Sequence, residues 1–190
     1  SRGETTDLNL PKVQDTGALA GLRVVELTTV LAGPLCAQTL ADHGATVIKV
    51  EPPGGDQTRH SRQFLGQLPA YFAGVNRNKS CIALDLRKQN GREVLLRLLE
   101  QADVLVDNFL PGTLERWHLD YASLAQKFPR LIHCSISGFG ADGPLGGKPG
   151  YDAMVQAYCG LMSVNGSKAE GATRHGIPIV DIASGLNAVI

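Results

Sequence analysis

The sequence predicts an open α/β domain with a largely parallel sheet and helices on both faces. Three observations predict it. Short runs rich in Val, Ile and Leu recur along the chain, as strands buried on both sides do. Stretches of helical spacing lie between them, and Gly, Pro and Asn mark the junctions. The first strand, its Gly-containing turn, a helix and a second strand fit within about thirty residues, the size of a βαβ unit.

The elements follow in order. Residues 1–20 open with SRGETTDLNLPKVQDTG, a polar tail without the apolar core of a secretory signal. LRVVEL (22–27) is the first buried strand, and it leads through TTVLAGP into a helix over CAQTLADHG, with Gly44 as its stop. ATVIKVEPP is the second strand, ended by Pro52 and Pro53. Residues 54–79 carry many Gly, Gln, Asn and Arg and little periodicity, and they read as a long functional loop or a broken helix. SCIALDL (80–86) is the third strand. Residues 88–102 place Val94, Leu95, Leu98 and Leu99 on one helix face. DVLVD (103–107) is a fourth strand, residues 121–128 a short helix, and LIHCSIS (131–137) a fifth strand. A glycine-rich loop, GFGADGPLGGKPG, precedes a helix over residues 151–163. A polar loop and the run IPIV then lead to Asp181, which opens a last helical stretch. The chain stops at Val189 and Ile190 without a capping signal, so the sequence is expected to be a fragment of a longer polypeptide.

Composition narrows the function classes. The chain has 190 residues, enough for one well-cored domain, with 43% hydrophobic and 19% charged residues and zero formal net charge. A neutral balance without a basic cluster argues against nucleic acid as a partner. No apolar run is long enough to span a bilayer, so no membrane is expected. Cys36, Cys81, Cys134 and Cys159 are scattered, form no CxxC pair and have no His at ligand spacing. They read as buried free thiols of a reducing compartment, with no metal site and no disulfide framework.

In open α/β sheets, ligands gather beyond the C-terminal ends of the strands. The segments at such ends are residues 30–34 (VLAGP), 51–59, 108–112 (NFLPG) and 138–151. A dinucleotide site is the rival reading, because Glu51 ends the second strand where an acid would hold a ribose hydroxyl. Its phosphate half is missing, since the turn offers only Ala32, Gly33 and Pro34, and Pro has no N–H. Small residues at the start of the first helix suit either a phosphate or acyl carbonyl, or close packing of helix on sheet. Asp181 and Asp152 are each a candidate site carboxylate or a helix cap. At a helix start, Asp181 is expected to stay ionised near neutral pH. His133 reads as a satisfied sheet residue and His175 as a possible neighbour of Asp181.

The ordered set VVELTTVLAGP, GATVIKVEPPGGDQTR, NRNKSCIALDL, ADVLVDNFLPG, SISGFGADGP, GYDAMVQA and IVDIASG resembles the N-terminal half of the family III CoA-transferases, from Gly21 to the last residue. The family includes formyl-CoA, carnitine and succinyl-CoA:dicarboxylate transferases. The resemblance implies a Rossmann-like CoA-binding large domain over residues 21–190, incomplete without a small domain and a C-terminal part. It implies that Asp181, in the D-x-x-x-G segment ending at Gly185, attacks an acyl-CoA thioester to give an anhydride and then an enzyme-bound CoA thioester. Tyr151 and Asp152 line the site by the same resemblance. Members that racemise 2-methylacyl-CoA carry His where this chain has Tyr151, so racemisation is the runner-up and a non-catalytic nucleotide-binding domain the alternative of another class.

The resemblance places Val30 and Ala32 beside the pantetheine and Asn108, Phe109 and Arg116 at the nucleotide end, with Lys148 a further CoA contact. Arg59, Arg77 and Lys79 are additional basic candidates for the phosphates or plain surface charges. Leu31 stands where formyl-CoA transferases carry Gln, which points away from formate and oxalate. The implied partners are acyl-CoA and carboxylic acid substrates and a second copy in an interlocked homodimer. CoA is a substrate, and no cofactor is permanently bound. The expected compartment is the cytoplasm, or the mitochondrial matrix in a eukaryote, and the isolated 190 residues are expected to be inactive.

Overall fold

The computed structural model describes residues 16–190, apart from the side chains of Leu65 and Leu68, so residues 1–15 of the expected tail lie outside it. The strands are β1 (Arg23–Leu27), β2 (Thr46–Glu51), β3 (Phe64–Leu65), β4 (Leu68–Pro69), β5 (Lys79–Ala83), β6 (Val104–Asp107), β7 (Ile132–Ser135), β8 (Gly166–Ser167) and β9 (Gly171–Ala172). The helices are α1 (Ala32–Asp42), α2 (Ala70–Asn76), α3 (Gln89–Leu99), α4 (Tyr121–Lys127), α5 (Asp152–Tyr158) and α6 (Ile179–Asn187).

One sheet organises the molecule, in the order β5-β2-β1-β6-β7, and every pairing in it is parallel. Alternation along the strands sends their side chains to two faces. Val25, Leu27, Ile48, Val50 and Leu105 join Leu95, Leu98 and Leu99 of α3 and Leu124 of α4 in one core. Val24, Val47 and Val106 pack on the other face with Cys36, Ala37, Leu40 and Ala41 of α1, and with Ala188 and Val189 beyond α6. The fold class expected from the sequence is the one observed, with helices on both faces. The strand order reverses between β1 and β6, so the switch point lies between the turns that follow these two strands.

Several boundaries differ from expectation, each for a local reason. Residues 54–79 are neither one loop nor one broken helix. They form a 3₁₀ turn (Gln57–His60), the β3–β4 hairpin and α2. The helix expected over 151–163 stops at Tyr158, because Gly160 takes a left-handed φ of 84° and a separate 3₁₀ turn follows. α6 begins two residues before Asp181, at Ile179, with Pro178 in the N-cap position. The four cysteines are free, but only Cys36 is buried; Cys81 and Cys159 are exposed. Burial, then the neighbouring Cys134 and Glu26, pushes the Cys36 thiol up to about 12, so it behaves as an inert core residue. Among the described residues, no helix is long and apolar enough to cross a membrane.

Candidate active site

A cavity of about 250 Å³ opens at the switch point. Its walls come from the turn after β1 (Thr29 to Leu31), the start of α1 at Ala32, the turn after β6 (Asn108 to Leu110), residues 136–138 after β7, and Tyr151, Asp181 and Ser184. These distant segments meet there because each follows the C-terminal end of a strand or begins a helix packed on that edge. Among the described residues, Asp181 is the only carboxylate in the lining.

The turn after β1 is held in an unusual shape. Val30 has φ +70°, a left-handed conformation that costs a β-branched residue on the order of 1–3 kcal/mol. Two clamps hold it. Asn108 donates from its amide to the Thr29 carbonyl (2.8 Å) and accepts from the Thr29 N–H (3.0 Å), tying the β6 turn to the β1 turn. Lys49, fully buried, donates to the Thr28 carbonyl at 2.7 Å. Gly33 serves close packing, since a Cβ there would meet the Thr28 side chain at 2.3 Å. The helix start also borders the cavity through Leu31 and Ala32, so the close packing anticipated for this turn coexists with a helix N-terminus at the cavity wall.

Beneath the turn lies a buried charge cluster. Glu26 and Lys49 are register partners on β1 and β2, and Lys49 Nζ sits 3.0 Å from Glu26 Oε1 and 3.1 Å from Asp56 Oδ2. Lys79 reaches Glu26 Oε2 at 2.8 Å and donates to the Pro34 carbonyl at 2.8 Å. Burial pushes the Lys79 amine down to about 8, against the pull of Glu26. Burial pulls the Asp56 carboxyl upward, but the Thr58 donors and Lys49 outweigh it and hold it below the usual carboxylate range. Asp56 thereby caps the 3₁₀ turn that carries Gln57 to the cavity wall.

Asp181 sits in the first turn of α6 and is not that helix's cap. The cap comes from α5: Asp152 Oδ1 accepts from the N–H groups of Val180 (2.9 Å) and Asp181 (3.3 Å). Asp152 is buried behind the cavity wall, and its Oδ2 accepts from Gln156 at 2.6 Å. Burial first, and the charge of Asp152 second, push the Asp181 carboxyl above its ordinary value. The helix dipole invoked from the sequence is therefore opposed here by burial and by a like charge. Gly185, four residues on, lies against α1, where a Cβ would meet the Ala32 carbonyl oxygen at 2.6 Å. The D-x-x-x-G spacing therefore puts the carboxylate and the contact glycine on one face of α6, and the close approach seats Asp181 beside the start of α1.

Of the candidates named from sequence, Asp181, Tyr151, Val30, Ala32, Asn108 and Phe109 share the cavity lining. Arg116 and Lys148 do not line it. Both are exposed, and Arg116 contacts Thr113 Oγ1 at 3.3 Å. The other basic candidates are committed to ion pairs. Arg59 pairs with Glu51 through two bonds of 2.7 Å and stacks on Phe72, Arg77 pairs with Asp42 at the far end of α1, and Lys79 is buried. His133 is bonded on one side only: its Nε2 lies 2.7 Å from Asp107 Oδ2, while Nδ1 has no hydrogen-bond partner among the described residues. The backbone N–H of His175 donates to Gln156, two steps from Asp181. Gln57, Ser184 and Gln156 were not singled out from sequence. The i, i+4 spacing of Asp152 and Gln156 on one helix was the available signal for the last. No group of His, Cys, Asp and Glu able to hold a metal occurs among the described residues.

This arrangement defines a doubly wound α/β protein with a cavity at the switch point and, among the described residues, one carboxylate facing it. Residues 19–190 match the sequence model of CoA-transferase family III, and the chain belongs to that family. It is 44% identical over 180 residues to an acyl-CoA transferase of Fusarium pseudograminearum, covering 90% of this chain and 40% of the relative. It is 41% identical over 172 residues to human succinyl-CoA:glutarate CoA-transferase, covering 90% of this chain and 39% of that protein. The crystal structure of a CAIB/BAIF family protein from Brucella suis superposes with a TM-score of 0.87 at 44% identity, over 91% of this chain and 47% of the other. The chain thus spans less than half the length of these relatives.

Proposed function

We propose that this chain is the nucleophile-bearing, CoA-binding part of a CoA-transferase that moves CoA from an acyl-CoA donor to a free carboxylic acid. The observation that carries the reading is the placement of Asp181. Among the described residues it is the one carboxylate of a cavity at the switch point, which also takes in the start of a helix whose first N–H groups have no partner within that helix.

In this reading a carboxylate oxygen of Asp181 attacks the thioester carbonyl carbon. The C–S bond breaks, CoA leaves as thiolate, and a mixed anhydride remains. The thiolate then attacks the aspartyl carbonyl, which releases the donor acid and leaves CoA on Asp181 as a thioester. The acceptor carboxylate attacks that thioester, the thiolate departs again, and it finally attacks the acceptor carbonyl to give the product thioester and free Asp181. Each tetrahedral intermediate carries negative charge on oxygen, and the N–H groups of Ala32 and Gly33 at the α1 start suit that charge. Partial burial of Asp181 makes its carboxylate more basic and a better nucleophile. Val30 and Ala32 flank the pantetheine arm, Asn108 and Phe109 shape the path toward the nucleotide, Tyr151 borders the acyl group, and Arg116 and Lys148 meet the outer parts of CoA. The likeness to a transferase named for succinyl-CoA and glutarate, together with Leu31 in the lining, supports a short dicarboxylic acid as acceptor.

The remainder of the polypeptide supplies a small domain and a glycine-rich loop over the site in this proposal, and the whole protein forms an interlocked homodimer. The isolated 190 residues are accordingly inactive. The test is a mass spectrum of the whole protein after incubation with succinyl-CoA and other acyl-CoAs, followed by hydroxylamine or borohydride trapping. An adduct on Asp181 that disappears in Asp181→Asn supports the transferase. Proton exchange at the acyl α-carbon without an adduct would replace it by a racemase, and neither signal would leave a binding domain.

A further inference from the structure

We propose that Gln156 is a positioning residue for Asp181: it fixes the Asp152 carboxylate and the segment around His175 and Ile177, so that α6 presents Asp181 to the cavity. The proposal rests on the reading of Asp181 as the nucleophile.

Gln156 is fully buried, and a buried amide is costly unless both of its ends are paired. Both are. Its Nε2 donates to Asp152 Oδ2 at 2.6 Å and to the Ile177 carbonyl at 3.4 Å, and its Oε1 accepts from the His175 N–H at 3.0 Å. The orientation of the amide is forced. Turning it over would set its oxygen against Asp152 Oδ2 and its NH₂ against the His175 N–H.

Asp152 is fixed in turn at two points. Oδ2 is held by Gln156, and Oδ1 holds the Val180 and Asp181 N–H groups. Pro178 supplies no side-chain cap to α6, so Asp152 is what satisfies these amides. One buried side chain therefore links α5, the segment entering α6, and the turn that carries Asp181. A residue that only filled this space would be apolar and would avoid the cost of burying an amide. Without the Nε2 donor, Oδ2 loses its partner, the carboxylate is free to rotate, and the α6 amides lose their cap.

The charged and titratable groups facing this cluster among the described residues are Asp152 on α5, Cys159 just after α5, with its thiol 3.7 Å from the Gln156 carbonyl, Asp181 on α6, His175 in the preceding segment, and Tyr71 on α2, whose hydroxyl is pushed up by burial first and then by Asp181 and Asp56. Gln156→Met leaves these groups in place and adds none, so the difference between the Gln156→Glu and Gln156→Met pH profiles carries the introduced carboxyl together with its coupling to Asp152.

The test compares Gln156→Glu, Gln156→Met and Asp181→Asn with wild type in the whole protein. Turnover and Asp181 adduct formation are followed from pH 5 to 8, with the folded fraction checked by circular dichroism at each pH. The introduced carboxylate of Gln156→Glu opposes Asp152 at pH 8, where kcat is expected to fall about 100-fold, the cost of a misplaced reacting group. KM for acyl-CoA stays within about twofold, because Gln156 lies outside the cavity lining. As pH falls, the introduced carboxyl gains a proton, can donate to Oδ2 again, and kcat recovers relative to wild type. Gln156→Met loses turnover without this recovery. A Gln156→Glu variant that stays folded and keeps wild-type kcat at pH 8 overturns the proposal, as does a loss that is the same at every pH. If Asp181→Asn retains turnover and adduct, the underlying reading of the site fails first, and the two failures are separable.

Discussion

Gly185 offers a direct test of how α6 is seated. A methyl group added there would lie 2.6 Å from the Ala32 carbonyl oxygen and 3.3 Å from Leu35 Cβ. The first contact is short of ordinary van der Waals separation by roughly 0.8 Å, and the atom it meets is helix backbone, which cannot rotate away. Gly→Ala inside a helix would otherwise gain about 1 kcal/mol of intrinsic propensity. Forcing apart two packed helices costs about 1–3 kcal/mol. The net expectation for Gly185→Ala is a loss of about 1 kcal/mol. Gly74 is the control. It lies inside α2 and is exposed, and a Cβ added there would meet nothing within 4 Å. Gly74→Ala should show the propensity gain alone, so the two variants should differ by about 2 kcal/mol. Urea denaturation at constant slope measures both. The separated helices also carry Asp181 away from the α1 start, so adduct formation should drop in Gly185→Ala and not in Gly74→Ala. A Gly185→Ala variant as stabilised as Gly74→Ala would refute the idea that close contact at this glycine seats the carboxylate.

Two further outcomes follow from the buried charges. Lys49→Met leaves Glu26 Oε1 and Asp56 Oδ2 without their shared cation in a region closed to solvent, and should cost about 3–5 kcal/mol in urea denaturation; a loss below about 1 kcal/mol would mean water reaches the cluster. Asp181→Asn should stabilise the protein near neutral pH. The folded state raises this carboxyl's pKa, so the native protein holds the proton more tightly than the unfolded chain, and wild-type stability falls as pH rises through the folded pKa. The advantage of the variant should therefore vanish below about pH 4, where the acid is protonated in both states, and grow above it; an advantage independent of pH would contradict the burial argument.

Much of the sheet was legible because its three central strands, β1, β2 and β6, are buried on both faces. VVEL, VIKV and VLV are near-continuous apolar runs, the pattern of strands covered on both sides. The segment 54–79 was not legible, since Asp56 folds back on Lys49 of the preceding strand β2 and Arg59 on Glu51, contacts that no helix or strand period records. The same limit explains the two aspartates. Local rules offered each of them as a cap of its own helix. The structure instead uses Asp152 to cap a helix that begins 27 residues later, which frees Asp181 to face the cavity.

The charges inside the strands were visible and their meaning was not. Glu26 in VVEL and Lys49 in VIKV each break an apolar run near its C-terminal end, on the face that α1 covers. Isolated buried ions would be destabilising, so such a pair in adjacent strands implies register, and the two residues are in fact register partners. Their remaining bonds point toward the site. Lys49 holds the Thr28 carbonyl, Thr28 Oγ1 donates to Glu26 Oε1 at 2.5 Å, and Asn108 closes on Thr29 from the other side of the switch point. Val30, the next residue, is the strained one. A turn of small, mobile residues would relax and pull the start of α1 away from the cavity. Anchoring its two preceding residues to buried charges and to the neighbouring strand's turn leaves Val30 no such freedom, so the strain is held where the helix start must face the Asp181 carboxylate.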